Sequence, residues 1–269
     1  MVIANFALEA QVKTPQASPK STSDHMVGLT NVALDYSRPS TKGRVIFGDL
    51  VPFGKLWRTG ANANSIVSFS DDVVIDGKTV AKGKYSIFTV PKADVWEVIL
   101  YKTIDNWGNP ETWNEANVAV RASVKPVFID HKVESFTLSI GNITNDNAQL
   151  EISWENTFVA LKFEVPTQKT AMASIEKVLG GPTANDYYSA ANFLFQSNTD
   201  IAKSLVYVNK SLELSKDKPF WFLRLKSLIQ AKQGDKSGAI ETAKLSMEAA
   251  EEAKNQDYVK MNRDSIAEW

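Results

Sequence analysis

An antiparallel, jelly-roll-like β-sandwich followed by a tetratricopeptide-like helical bundle, an α+β multidomain chain, is the fold class that the hydrophobic pattern predicts. Three observations carry this. Apolar residues recur with a period of two through residues 27–165, turn residues punctuate that stretch, and the period becomes helical after Pro166.

The strands come first. Phe136, Leu138 and Ile140 alternate with polar neighbours in Ser135–Gly141, as do Leu150, Ile152 and Trp154, and then Val159, Leu161, Phe163 and Val165. A period of two puts these side chains on one face and leaves Thr137, Glu151, Ser153, Lys162 and Glu164 to water, as in antiparallel sheets with one wet face. Asp76-Gly77 lies between Val73–Ile75 and Thr79–Ala81, where positive φ closes a tight hairpin. Gly83 opens a strand over Tyr85–Val90, and Pro91, which has no donor for the ladder, ends it. Short strands without intervening helices predict a sandwich or barrel. Trp96 and Trp154 fall within strand patterns and are assigned to the core.

Helices follow. Residues 200–214 and 235–249 place apolar or small residues at three-four spacing. At an offset of 35, Ser204, Leu205, Val208, Ser211 and Leu212 align with Ala239, Ile240, Ala243, Ser246 and Met247. Each stretch is preceded by another, 183–196 and 219–233, and a last helix is expected near 256–268. Pro219 and Asp235 mark helix starts, and Gly234 an end. The unit resembles a tetratricopeptide repeat, although Ser227 and Gln230 depart from that pattern. Trp221 and Leu225 are expected to be buried in the bundle. The predicted organisation is an N-terminal segment 1–26, a sandwich 27–165, a linker 166–182 that is part helix, and a helical-hairpin domain 183–269.

Composition narrows the function classes. The net charge is −1 over 269 residues, with 23% charged and 43% hydrophobic, the profile of a globular protein. Residues 11–165 hold 16 basic against 17 acidic side chains, so the basic excess that nucleic acid requires is missing. No apolar run approaches membrane-spanning length. The absence of cysteine excludes disulfides, thiolate metal sites and cysteine nucleophiles. The first ten residues, MVIANFALEA, read either as the tail of a signal peptide cleaved at Ala10–Gln11 or as a disordered terminus.

The run SPK (18–20), then VGLTNVALDYSRPSTKGR (27–44), IFG (46–48), LWRTGAN (56–62) and GKYSIFTVP (83–91), resembles a bacterial domain-of-unknown-function family, number 2911 in its series. The resemblance covers about residues 11–165. It implies an exported protein of a Gram-negative bacterium, hence an extracytoplasmic location, sometimes with tetratricopeptide-like helices behind the domain. It implies no activity.

Candidate sites concentrate between Tyr36 and Ser65, where Arg38, Lys42, Arg44, Lys55 and Arg58 face one carboxylate, Asp49. Guanidinium forks suit carboxylate, phosphate or sulfate. With Trp57, and with Trp107 and Trp113 in the loop NWGNPETW, Arg38, Arg44 and Arg58 form a candidate ligand site for an acidic sugar or a peptide terminus. The alternative is internal pairing with Asp35, Asp49 or backbone carbonyls. Asn62 and Asn64 offer amides to sugar hydroxyls, or satisfy their own turn. His25 and His131 have no recognised metal-ligand spacing, so no metal or cofactor is expected. Asp71-Asp72 reads as a turn rather than a calcium pair. No nucleophile elbow, P-loop, dinucleotide fingerprint or metalloprotease helix is present.

The expected function is therefore a non-catalytic binding module for a small anionic or sugar-like ligand, with a protein-contact surface on the helices. A glycan hydrolase with carboxylates the sequence does not name, and a scaffold with internal arginines, are the alternatives.

Overall fold

A computed structural model describes residues 14–178 and 181–269 of the chain. The signal-remnant reading of residues 1–10 lies outside the described residues. The chain divides into two compact units, Met1–Thr167 and Gln168–Trp269.

Among the described residues, the first unit is built of ten antiparallel strands in two sheets. β1 (Lys20–Val27), β2 (Thr30–Ser37), β3 (Ile66–Phe69), β6 (Gly83–Val90), β7 (Trp96–Tyr101) and β8 (Val118–Val124) form one sheet in that order. β5 (Lys78–Val80), β4 (Val73–Ile75), β10 (Asn147–Glu164) and β9 (Val127–Gly141) form the other. The first order is a meander interrupted once, where β4 and β5 leave to join the second sheet. Asp71 and Asp72 fix that departure. Asp71 accepts from the hydroxyls of Thr30 (3.0 Å) and Ser70 (2.7 Å), and Asp72 from the Lys82 N–H (2.8 Å). Asp76 and Gly77, both at positive φ, close the predicted two-residue hairpin.

The inward residues of both sheets meet in one hydrophobic cluster. Val32, Leu34, Val67, Ile87, Trp96 and Val98 come from the six-stranded sheet, and Phe136, Leu138, Leu150, Ile152, Trp154 and Phe163 from the other. Trp96 and Trp154 are 1% and 2% exposed, as their strand positions predict.

β10 changes phase along its length: Leu150, Ile152 and Trp154 are buried, then Val159, Leu161 and Phe163. Even positions give way to odd ones because a bulge intervenes. The register with β9 shifts on either side of Glu155, whose φ is +54°. At both shifts β9 contributes the surplus residues, Thr137–Val133 opposite Ser153–Glu155 and Val133–Phe128 opposite Glu155–Thr157, and the change of phase lets both halves of β10 face the same core.

One boundary differs from expectation. Residues 20–26, assigned to an N-terminal segment, are β1, paired with β2 from Lys20–Ser37 to Val27–Thr30. The alternation in KSTSDHMV is too polar to announce an edge strand. The segment 166–182, expected to be part linker and part helix, contains α1 (Thr167–Val178).

The second unit contains α2 (Ala184–Gln196), α3 (Ile201–Leu214), α4 (Phe220–Lys232), α5 (Lys236–Glu252) and α6 (Gln256–Glu268). Their starts are fixed chemically: Thr183 and Asp186 form a capping box, and Asp200, Asp235 and Asn255 each accept a backbone N–H of the first turn. The residues aligned at an offset of 35 share their burial. Ser204, Val208 and Ser211 in α3, and Ala239, Ala243 and Ser246 in α5, are all buried. Gln230 spans the α4–α5 turn, accepting from the Thr242 hydroxyl and donating to Asp235. Phe222 stacks on Tyr188 (4.5 Å, 11°) and Leu225 is buried, but Trp221 keeps 38% of its surface exposed instead of filling the bundle. Three successive aromatics on a helix point in different directions, so one is left to solvent. No helix of the described residues is long and apolar enough to cross a membrane.

Candidate functional site

The cationic span is the irregular connection from β2 to β3, and its shape follows from a few anchors. Beyond Ser37 the chain runs along the edge of β9: the Phe136 N–H donates to Pro39 O (2.8 Å) and the Thr41 N–H to Glu134 O (2.8 Å). Arg38 serves this crossing. Its Nε donates to Phe136 O (3.1 Å) and its Nη2 to Thr137 Oγ1 (3.0 Å). Lys42 and Gly43 then turn at positive φ, and the exposed Glu134 carboxylate accepts from the Thr41 hydroxyl and the Lys42 N–H.

Those bonds hold the Glu134 carboxyl below its ordinary value of 4.5, the Thr41 hydroxyl contributing most and the Lys42 N–H next. A depressed folded-state value means the contribution to stability is present above the unfolded value and lost as pH falls through the folded one. Thermal unfolding followed against pH is therefore expected to show wild type more stable than Glu134→Gln at neutral pH. The two should converge as the pH drops below the ordinary carboxylate range. A constant difference down to strongly acidic pH would contradict this account.

Trp57 is fixed by a two-way backbone bridge to Thr89 in β6 (2.8 and 2.9 Å). Its ring stacks on Trp154 (5.9 Å, 15°) and meets Phe136 (5.5 Å) and Phe47 (5.9 Å) edge-on. In front of this aromatic floor lies an open cleft of about 450 Å³. Lys42, Arg44 and Arg58 line it, with Trp57, Trp154, Leu50, Val51 and the turn Gly60-Ala61; Ala17 and Ser18 contribute to its wall. Among the described residues no carboxylate lines the cleft.

The expected cluster is thus brought together in part. Arg44 and Arg58 reach the cleft, and Lys42 joins them. Arg44 also donates from Nε to Thr41 O (2.9 Å) and from Nη2 to Ser40 O (2.7 Å), so its fork is partly committed to its own loop. Arg58 is less committed: its Nε is buried without a partner among the described residues, and Nη1 lies so near Gly108 that a Cβ there would approach to 3.2 Å. None of Arg38, Arg44 and Arg58 is in an ion pair among the described residues, and Asp35 pairs with Lys20 instead (2.8 Å).

The remaining candidates lie elsewhere. Arg38 is absent from the cleft lining and holds β9. Asn62 donates to Ser18 O (3.2 Å) and to the Ser37 hydroxyl (3.4 Å), pinning the segment before β1. Asn64 is 4% exposed; with its amide nitrogen turned toward them, it donates to the carbonyls of Asn106 (2.6 Å) and Gly108 (2.9 Å). Both asparagines satisfy backbone rather than face the cleft. Trp113 is packed inward, stacked on Tyr101 (4.5 Å, 29°), with Nε1 donating to Glu115 (2.9 Å). Trp107 is 77% exposed and lines a separate cleft.

Two contributors escape sequence reasoning. Trp154 is assigned only to the core, although it also belongs to the cleft lining. Lys42 sits in the cationic span, where charge alone does not separate it from Lys55. The histidines stay apart: His25 contacts the Ser23 hydroxyl (3.0 Å) and His131 contacts Asp130 (3.3 Å). Among the described residues no three His, Cys, Asp or Glu side chains gather as a metal would require.

A family described as "Protein of unknown function (DUF2911)" matches residues 18–163, more than half of the chain, and the matched region is the two-sheet unit with its cationic cleft. Neither the curated proteins nor the solved structures contain a match. The match through the sheet unit shows that the chain belongs to the DUF2911 family.

Proposed function

We propose that the sheet unit is a non-catalytic binding module for a small anionic ligand, an acidic sugar being the form that suits it best. The cleft itself carries this reading: three cations, Lys42, Arg44 and Arg58, border an aromatic floor of Trp57 and Trp154, and among the described residues no carboxylate lines it. A ligand with a charged group and an apolar ring face matches both parts, since a desolvated guanidinium binds an oxyanion well and an indole covers C–H surface. The orphaned Nε of Arg58 supports it too, because a buried donor gains most from an incoming acceptor. The helical unit adds a protein-contact surface in this proposal, with Val206, Leu245 and Met261 exposed along its helices. The exported character that the family resemblance implies supports an extracytoplasmic setting.

A second reading is favoured by the bonds of Arg38 and Arg44 to backbone carbonyls: the arginines serve the loops, and the unit is a scaffold. Calorimetric titration of the full chain with galacturonate, citrate and phosphate separates the two. Arg58→Gln removes a charge-assisted contact of about 1.5–3 kcal/mol, so binding is expected to weaken roughly ten- to a hundredfold. The melting temperature should be unchanged, and added salt should weaken wild-type binding. No anion binding, or binding indifferent to Arg58→Gln, would leave the scaffold reading.

A further inference from the structure

We propose a second site, independent of the cationic cleft: the loop between β7 and β8 binds neutral β-linked glucopyranosyl sugars against the face of Trp107. The loop treats its two tryptophans oppositely. Trp113 is turned inward, its ring stacked on Tyr101 and edge-on to Phe88 (5.5 Å), and its N–H is bonded to Glu115. Trp107 stands 77% exposed although its flanks are fastened. Asn64 holds the carbonyls on either side, at Asn106 and Gly108, and the Asn109 amide donates to Leu56 O (2.8 Å). An indole presented on an anchored backbone is a prepared contact surface, because little freedom is left to lose on binding.

The surroundings of Trp107 give the ligand class. The cleft beside it is about 730 Å³, within the range of small-ligand sites. Its lining includes Asp105, Asn106, Glu111 and Thr112, and contains no Lys or Arg among the described residues. Asp105 and Glu111 take part in no ion pair among the described residues. Carboxylates and a hydroxyl in this arrangement accept from and donate to sugar hydroxyls, and they repel an anionic sugar. A β-glucopyranosyl ring carries all its substituents equatorially. Each of its faces therefore shows only axial C–H groups, which suit an indole face, while its hydroxyls point outward in the ring plane toward such a polar rim. Acidic ligands are directed to the cationic cleft, and neutral ones to this cleft.

Saturation-transfer NMR and calorimetry on the full chain with cellobiose test the proposal. Wild type is expected to bind cellobiose, Trp107→Ala to weaken it by about tenfold or more, and Trp107→Phe to retain part of the affinity. Arg44→Gln, which changes the cationic cleft without touching the loop that carries Trp107, should leave cellobiose binding unchanged, and galacturonate should not compete. Because Trp107 is mostly exposed, Trp107→Ala should melt as wild type does. Absence of cellobiose binding to wild type, or binding unchanged in Trp107→Ala, would overturn the proposal. So would cellobiose binding lost in Arg44→Gln but not in Trp107→Ala, which would assign the sugar to the other cleft. Anion binding measured in the same wild-type sample reports on the cationic cleft separately.

Discussion

Trp154→Ala is expected to destabilise the sheet unit by about 3–5 kcal/mol, the range for a large buried aromatic cut back to a methyl group. Trp154 is 2% exposed and stacks on Trp57. It meets Phe136 (5.7 Å, 78°) and Phe47 (6.3 Å, 88°) edge-on, and its Nε1 donates to Glu134 O (3.3 Å). Removing the indole opens a void that three aromatics border, and rings of this size do not collapse into it without leaving their own contacts. The same ring floors the cationic cleft, so ligand binding and stability should fall together. Trp154→Phe keeps an aromatic but loses the N–H bond and part of the volume, and should fall between. Denaturant unfolding read by near-ultraviolet circular dichroism, which reports aromatic packing, measures this. The helical signal at 222 nm follows the second unit. A change below about 1 kcal/mol would show that the floor is far more plastic than its packing implies.

Gly28→Ala should be nearly as damaging, for a different reason. Gly28 turns the chain from β1 into β2 at φ +57°, and a Cβ there would fall on the Thr167 hydroxyl and the Asn145 carbonyl. Thr167 is bonded to that same carbonyl, so the methyl group meets a contact that is already closed. The left-handed backbone costs about 1 kcal/mol once a side chain is present, and overpacking against a main-chain atom adds about 1–3 kcal/mol. Gly77→Ala is the control. Gly77 also has positive φ, +71°, but nothing lies within 4 Å of its Cβ position, so only the conformational part is expected. Equal losses of melting temperature in the two variants would refute the steric argument.

Most of the fold is legible in the chain because it rests on local, periodic signals. The alternation around Phe136–Ile140 and Leu150–Trp154, the Asp76-Gly77 hairpin and the capped helices each announce themselves within a few residues. β1 was missed because its edge position needs no apolar alternation, and its partners are supplied by β2. The bulge at Glu155 was visible in principle: the buried residues move from even to odd positions between Trp154 and Val159, which an unbroken strand does not permit. The site was harder to read. Charge density singled out Arg38, Arg44 and Arg58 together, yet whether a guanidinium faces a cleft or a carbonyl depends on the path of an irregular loop. That path is set by distant partners such as Glu134 and Thr89. Asn62 and Asn64 show the same limit, since their amides fasten segments 44 and 42 residues away.

The placement of β10 has a consequence for how the protein is made. β10 lies between β4 and β9, and Glu164 is registered with Val74, so the second sheet is joined only when a segment some ninety residues downstream arrives. During synthesis the β4–β5 hairpin and the apolar faces of the early strands must wait, uncovered, until residue 164 has left the ribosome. The helices that follow pair with their immediate successors and need no such delay. Refolding should accordingly show a fast helical phase and a slow one for the sheets, and during the interval between them association with other chains is the main hazard.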